Sequence, residues 1–178
     1  MVMAMTGPTI SRAPNFRAAL AAKQSRLMGL ALDPDRHLVV TCGSTEAMMA
    51  AMMTACNPGD AVIVFSPFYE NYGPDAILCG ATPRFVTLRP VTRAGGARTW
   101  AYDPGELRRA FGPRTRAVIL NTPNNPTGNT IPVEAVEYLA AMCPRSVIAV
   151  DEAYAEFGAF TSADLTRKYG NVIVLRTF

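Results

Sequence analysis

Asp151 closes the apolar run Val147-Ile148-Ala149-Val150, and Tyr154 stands three residues further on. A carboxylate at the end of a buried strand needs a partner, because an unpaired buried charge is costly. The protonated nitrogen of a flat heterocycle would serve. The carboxylate favours the charged ring, raising the pKa of the ring nitrogen by roughly 1–3 units. A protonated ring is in turn a better electron sink for a carbanion. On Asp151 alone, capping of the helical turn that follows is an equal alternative.

Three more segments carry groups that could meet such a ligand. Cys42-Gly43-Ser44-Thr45-Glu46-Ala47 joins an apolar run to an Ala- and Met-rich helical pattern. Gly43 permits a tight turn. Ser44 and Thr45 add hydroxyls to the free N–H groups of a helix N-terminus, which together hold an anion. Taken alone, the plainer reading of Ser44 is an N-cap. Neither G-x-x-x-x-G-K nor G-x-G-x-x-G occurs, which disfavours nucleoside phosphates. Pro67-Phe68-Tyr69-Glu70-Asn71-Tyr72 offers aromatic faces that stack on a heterocycle, or that simply pack under a loop. In Asn121-Thr122-Pro123-Asn124-Asn125-Pro126-Thr127-Gly128 the prolines stiffen the backbone and Gly128 allows a turn, so the Asn125 amide is held at a set position. A plain turn uses the same residue types.

The elements that would position these groups follow from hydrophobic patterning. Apolar runs at Leu38–Thr41, Ala61–Phe65, Pro83–Leu88, Ala117–Leu120, Val147–Val150 and Val172–Leu175 are continuous, as in strands buried on both faces of a parallel sheet. Helical patterns lie between them at Asn15–Gly29, Ser44–Cys56, Asp103–Phe111, Pro132–Cys143 and Ser162–Tyr169. Asp103 caps one of these, with Pro104 as its first residue. The alternation predicts an α/β fold in three layers, a mostly parallel sheet with helices on both faces and right-handed crossovers. Ligands of such sheets sit beyond the carboxyl ends of the strands. Arg89–Thr99, with two glycines in its middle, reads as a surface loop.

The 178 residues suit one domain, and a net charge of +3 from scattered arginines predicts no nucleic-acid patch. The four cysteines are not paired as C-x-x-C and there is one histidine, so no metal site is expected. Apolar neighbours at three of the four make the thiols read as buried and reduced, which with the absence of a signal-peptide pattern predicts a cytoplasmic protein. No apolar run approaches the ~20 residues that span a membrane, so no membrane partner is expected.

Four such segments in this order resemble the class I/II aminotransferases of the fold type I pyridoxal 5'-phosphate (PLP) enzymes, and the resemblance covers the whole chain. Val39–Leu88 is similar to the methionine, kynurenine and LL-diaminopimelate aminotransferase group. Val150–Phe157 and Val174–Phe178 are more similar to histidinol-phosphate aminotransferases. This mixed character leaves the substrate open. The resemblance implies that Ser44 and Thr45 hold the PLP phosphate and that Tyr69 stacks on the pyridine ring. It implies that Asn125 and Tyr154 hydrogen-bond the phenolic oxygen, and that Asp151 pairs with the ring nitrogen. Asn121 is implied to assist near the substrate carboxylate.

The family's Schiff-base lysine follows the position of Phe178 by two residues, in a Ser-Lys pair. The lysines of this chain, Lys23 and Lys168, match neither that position nor its surroundings. The family's phosphate-binding arginine, its carboxylate-gripping arginine and its small C-terminal domain also lie downstream. Residues 1–178 are therefore expected to be a partial PLP-binding large domain, inactive alone, with Tyr154 in a supporting role and no catalytic lysine. The complete enzyme would transfer an amino group between an L-amino acid and a 2-oxo acid, as a homodimer. The alternative is a non-catalytic PLP-binding remnant or interaction domain; a relative that decarboxylates or racemises is a third reading. In the family a late antiparallel strand lies between the first and sixth strands. Without it, the strand at Leu38–Cys42 is expected to lose its neighbours and expose its edges, making the chain poorly soluble or partly folded.

Overall fold

The computed structural model describes residues 2–5, 14–158 and 160–177, with residues 2–5 described as backbone only. Phe178, the end of the C-terminal motif, lies outside the described residues. In chain order the elements are β1 (Val2–Met5), α1 (Pro14–Met28), β2 (Leu38–Thr41), α2 (Gly43–Ala55), β3 (Ala61–Ser66), α3 (Tyr72–Leu78), β4 (Thr82–Thr92) and β5 (Arg98–Tyr102). There follow α4 (Pro104–Ala110), β6 (Thr115–Asn121), α5 (Val133–Met142), β7 (Val147–Asp151), a 3-10 turn (Ala155–Phe157), α6 (Leu165–Lys168) and β8 (Val172–Leu175).

The strands form one sheet in the order β2-β1-β8-β7-β6-β3-β4-β5, parallel except for the antiparallel β4–β5 pair. In β3, β6, β7 and β8 the continuous apolar runs have the physical origin expected of them, whereas in the Pro83–Leu88 run of β4 only Val86 is buried. Successive strand residues point to opposite faces, and both faces are covered. Val62, Val64, Ala117, Ile119, Ala149, Ile173 and Leu175 pack with Met48 and Met52 of α2 and Ala76 of α3. Their neighbours Ile63, Val118, Leu120, Ile148, Val150, Val172 and Val174 pack with Ala110 of α4, Val136 and Ala140 of α5 and Leu165 of α6. Two cores on one sheet make the three layers of the predicted α/β fold.

Three elements differ from the sequence expectation. Arg89–Thr99 is not a loop: β4 runs to Thr92 and β5 starts at Arg98, pairing from Leu88–Tyr102 to Thr92–Arg98. The turn between them is Arg93–Ala97, where Gly95 and Gly96 take φ of 92° and 82°. The part of β4 beyond Leu88 and the whole of β5 are mostly exposed, so they lack the apolar run that marks the other strands. α3 went unmarked because Gly73 and Pro74 look like turn residues. Pro74 sits in the first turn of the helix, where its missing N–H forfeits no bond.

The third difference is β1. It lies between β2 and β8, parallel to both, with Val2–Leu38 to Met5–Thr41 on one side and Val2–Val174 and Met3–Leu175 on the other. The strand at Leu38–Thr41 therefore has a neighbour, and the expected loss of its partners is overturned. A four-residue strand rich in Met offers no run long enough to be read from sequence. Among the described residues, no helix is long and apolar enough to cross a membrane.

Candidate active site

Because β2, β3, β6, β7 and β8 are parallel, their carboxyl ends share one edge of the sheet. A cleft of about 210 Å³ opens there. Its lining is Ser44 from the start of α2, Tyr69 and Tyr72 after β3, Asn121 at the end of β6 with Asn125 beyond it, Asp151 at the end of β7 with Ala153 and Tyr154 beyond it, and Thr177 after β8. Of the residues singled out from sequence, Ser44, Tyr69, Asn121, Asn125, Asp151 and Tyr154 thus meet in one place. Thr45 stands beside the lining; its hydroxyl accepts a hydrogen bond from Asn71 Nδ2 at 2.7 Å.

Asp151 is 3% exposed yet faces the cleft. Its Oδ2 accepts from the Tyr72 hydroxyl at 2.6 Å, and its Oδ1 accepts from the Ala153 N–H at 2.9 Å. The second bond is a local turn and not the helix cap offered as the alternative: the 3-10 turn that follows has Tyr154 in its N-cap position, with no side-chain cap bond. Burial pushes the Asp151 carboxyl above the usual carboxylate range, against the pull of these two bonds. Burial and the neighbouring Asp151 push the Tyr72 hydroxyl upward as well, so Tyr72 stays a proton donor. A buried carboxylate whose charge is disfavoured is one that gains from a cationic partner in the cleft.

At α2 the residue in the N-cap position is Cys42, with no side-chain cap bond, so Ser44 is not the cap. Glu46 accepts from the Cys42 N–H and closes the turn from inside. The N–H groups of the first turn have no intrahelical acceptor, and with Ser44 in the lining they can hold an anion.

The Asn121–Gly128 loop is held by its own asparagines. Asn121 Nδ2 donates to the Asp151 carbonyl at 3.1 Å, and Asn121 Oδ1 accepts from the Asn125 N–H at 2.6 Å. Asn124 Oδ1 accepts from the Thr127 hydroxyl at 2.6 Å. Peptide bonds 122–123 and 125–126 are cis. Asn121 thus ties the loop to β7 and fixes the backbone of Asn125. On the far wall, Tyr69 and Tyr72 meet edge to face at 5.9 Å. Tyr154 opens the 3-10 turn and is 44% exposed at the cleft mouth.

Sequence reasoning missed Tyr72, Ala153 and Thr177 as lining. Tyr72 was visible as the third aromatic of its segment, and Thr177 lies just beyond the end of a buried strand. Ala153 carries no chemical signal.

Residues 4–178 match the family described as aminotransferase class I and II. The chain is 36% identical over 147 residues to human kynurenine--oxoglutarate transaminase 1, covering 79% of this chain and 35% of that protein. It is 39% identical over 141 residues to a probable N-succinyldiaminopimelate aminotransferase of Mycobacterium tuberculosis, covering 78% of this chain and 34% of that one. Among solved structures, an Escherichia coli protein with a methionine aminotransferase function superposes with a TM-score of 0.77 at 28% identity, over 95% of this chain and 45% of that one. The solved N-succinyldiaminopimelate aminotransferase of Mycobacterium tuberculosis gives 0.67 at 37% identity, over 77% and 35%. The chain spans about a third of the length of the curated relatives it matches. With the family match running over nearly all its residues, this chain belongs to the class I and II aminotransferases.

Proposed function

We propose that residues 1–178 are the cofactor-holding part of the large domain of a PLP-dependent aminotransferase, one that moves an amino group between an L-amino acid and a 2-oxo acid. The observation that carries this is Asp151, a buried carboxylate facing a cleft that also holds an aromatic face and an open helix N-terminus. These donors fit a flat, phosphate-bearing heterocycle with a basic ring nitrogen. The chemistry this cofactor supplies when bound is an electron sink for charge developing on the substrate α-carbon.

The residues of this chain divide the work of binding. Asp151 holds the proton on the ring nitrogen, and Tyr72 holds Asp151. Tyr69 covers a ring face. Ser44 and the N–H groups of the first turn of α2 hold the phosphate, with Thr45 at their side. Asn125 and Tyr154 donate to the phenolic oxygen, while Asn121 keeps Asn125 in place and faces the substrate side. A homodimeric assembly and a cytoplasmic location belong to the same proposal.

A second reading, a PLP-binding unit without transfer activity, is favoured by one observation. Neither Lys23 nor Lys168 lines the cleft, and Lys168 is paired with Glu137 on the surface. Residues 1–178 alone are accordingly proposed to bind PLP without a covalent link and to be inactive.

Equilibrium titration of the 178-residue chain with PLP tests the site. Saturable binding is expected, weakened roughly tenfold, about 1.4 kcal/mol, by Asp151→Asn. Binding that ignores both Asp151→Asn and Ser44→Ala, or no binding, would refute the assignment. Borohydride treatment followed by mass analysis is expected to trap nothing; trapping at a single lysine would sink the reading without transfer activity.

A further inference from the structure

Behind the cleft, the segment from Glu152 to Ser162 leaves β7, carries Tyr154 to the cleft mouth and returns. Its two ends are tied by one side chain. Glu152, 1% exposed, accepts from the Ser162 N–H at 2.5 Å and the Thr161 hydroxyl at 2.6 Å. Arg176, the residue directly after β8, is also buried. Its Nη1 donates to Glu152 Oε2 at 3.0 Å and to Thr161 Oγ1 at 3.3 Å, and its Nη2 lies 3.6 Å from Glu156 Oε1 in the 3-10 turn. One guanidinium therefore reaches the start, the middle and the end of the segment. The next residue, Thr177, donates its hydroxyl to the Ala153 carbonyl at 2.9 Å.

A buried ion pair is a poor source of net stability, since desolvation of both charges offsets their attraction. What it does supply is a fixed geometry. The planar fork of Arg places three acceptors at set angles, which the point charge of Lys cannot do. Tyr154 lies in the chain between Glu152 and Glu156, the two carboxylates that Arg176 contacts, so the backbone that carries its ring is held on both sides.

We propose that Arg176 is a positioning residue for the cleft, acting through Glu152 and Glu156 to fix the Tyr154 turn against the bound ligand. This rests on the PLP-site reading of the cleft. Glu156→Gln weakens the contact at the turn, and Arg176→Lys keeps the charge but loses the fork.

The test combines PLP affinity with amide hydrogen exchange, on the 178-residue chain and its variants. Arg176→Lys is expected to weaken PLP binding roughly tenfold, the size of effect that outer partners of a site produce. In the Tyr154→Phe background the same change is expected to add little, because the two act as one unit. Equal losses in both backgrounds would overturn the proposal. Exchange at Ala153–Phe157 is expected to rise at least about tenfold in Arg176→Lys and, to a smaller extent, in Glu156→Gln, with β3 and β6 unchanged. Unchanged exchange in the turn, or an equal rise across the sheet, would overturn it as well. If the unmodified chain binds no PLP, the site reading fails; the exchange measurement then decides the role of Arg176 by itself.

Discussion

Tyr72→Phe removes one oxygen and tests the electrostatics of the cleft directly. The Tyr72–Asp151 bond is 2.6 Å long, its two residues are 2% and 3% exposed, and the acceptor is a carboxylate. A buried hydrogen bond to a charged group contributes roughly 1.5–3 kcal/mol, and its removal leaves the carboxylate short of a donor. The cost depends on pH in a set direction. Asp151 already has a folded pKa above its ordinary value, so its charge costs stability as pH rises through the folded pKa. Losing Tyr72 raises that pKa further. Below the folded pKa, where the carboxyl is protonated, the variant should lose only about 0.5–1.5 kcal/mol, the range for a neutral pair. Above it, where the carboxyl is ionised, the loss should approach the charged range. Urea denaturation of both proteins at a series of pH values reads this as a widening gap, with unchanged m-values. A gap that is constant with pH, or below about 0.5 kcal/mol throughout, would refute the reasoning.

Asp75 titrates in the same direction as Asp151, but its substitution should stabilise. It is buried with Oδ2 unpartnered, and burial pushes its carboxyl up to about 6. Its protonated form favours the fold, and that stabilisation is lost as pH rises through about 6. Asp75→Asn should therefore stabilise the chain at pH 8 by about 1–3 kcal/mol and leave it unchanged near pH 4, as read by urea midpoints. Met52 is fully buried under the sheet, and Met52→Ala should cost about 2–5 kcal/mol, measured the same way. Removal of residues 1–5 deletes β1 and should raise hydrogen exchange at Leu38–Thr41 and at Val174 while sparing β3.

The parts of this structure that sequence discloses are those where one residue answers to one environment. Val62, Ile63 and Val64 are all apolar because both faces of β3 are covered, and that leaves a run in the sequence. Asp151 and Asn121 are conspicuous because each is a polar residue ending such a run. The hairpin β4–β5 is hidden because it is exposed and packs little; Phe65 and Tyr102 meet edge to face at 5.8 Å, a contact invisible in the local pattern. The Tyr72–Asp151 bond and the Arg176 grip join residues far apart in the chain. No spacing rule reaches them, since they depend on how crossovers bring strand ends together.

β1 has a consequence for the order in which the fold can be assembled. Its pairing joins residue 2 to residue 38 on one side and to residue 174 on the other. The parallel β3–β4 pair, by contrast, closes over about twenty residues and needs nothing outside its own crossover. Contacts of such long sequence separation form slowly, because the loop-closure cost is met before any contact repays it. During synthesis β1 must remain unpaired on its β8 side until β8 has left the ribosome. Docking of the β1–β2 pair onto β8 therefore waits on the middle of the sheet, whose strands lie between them in sequence.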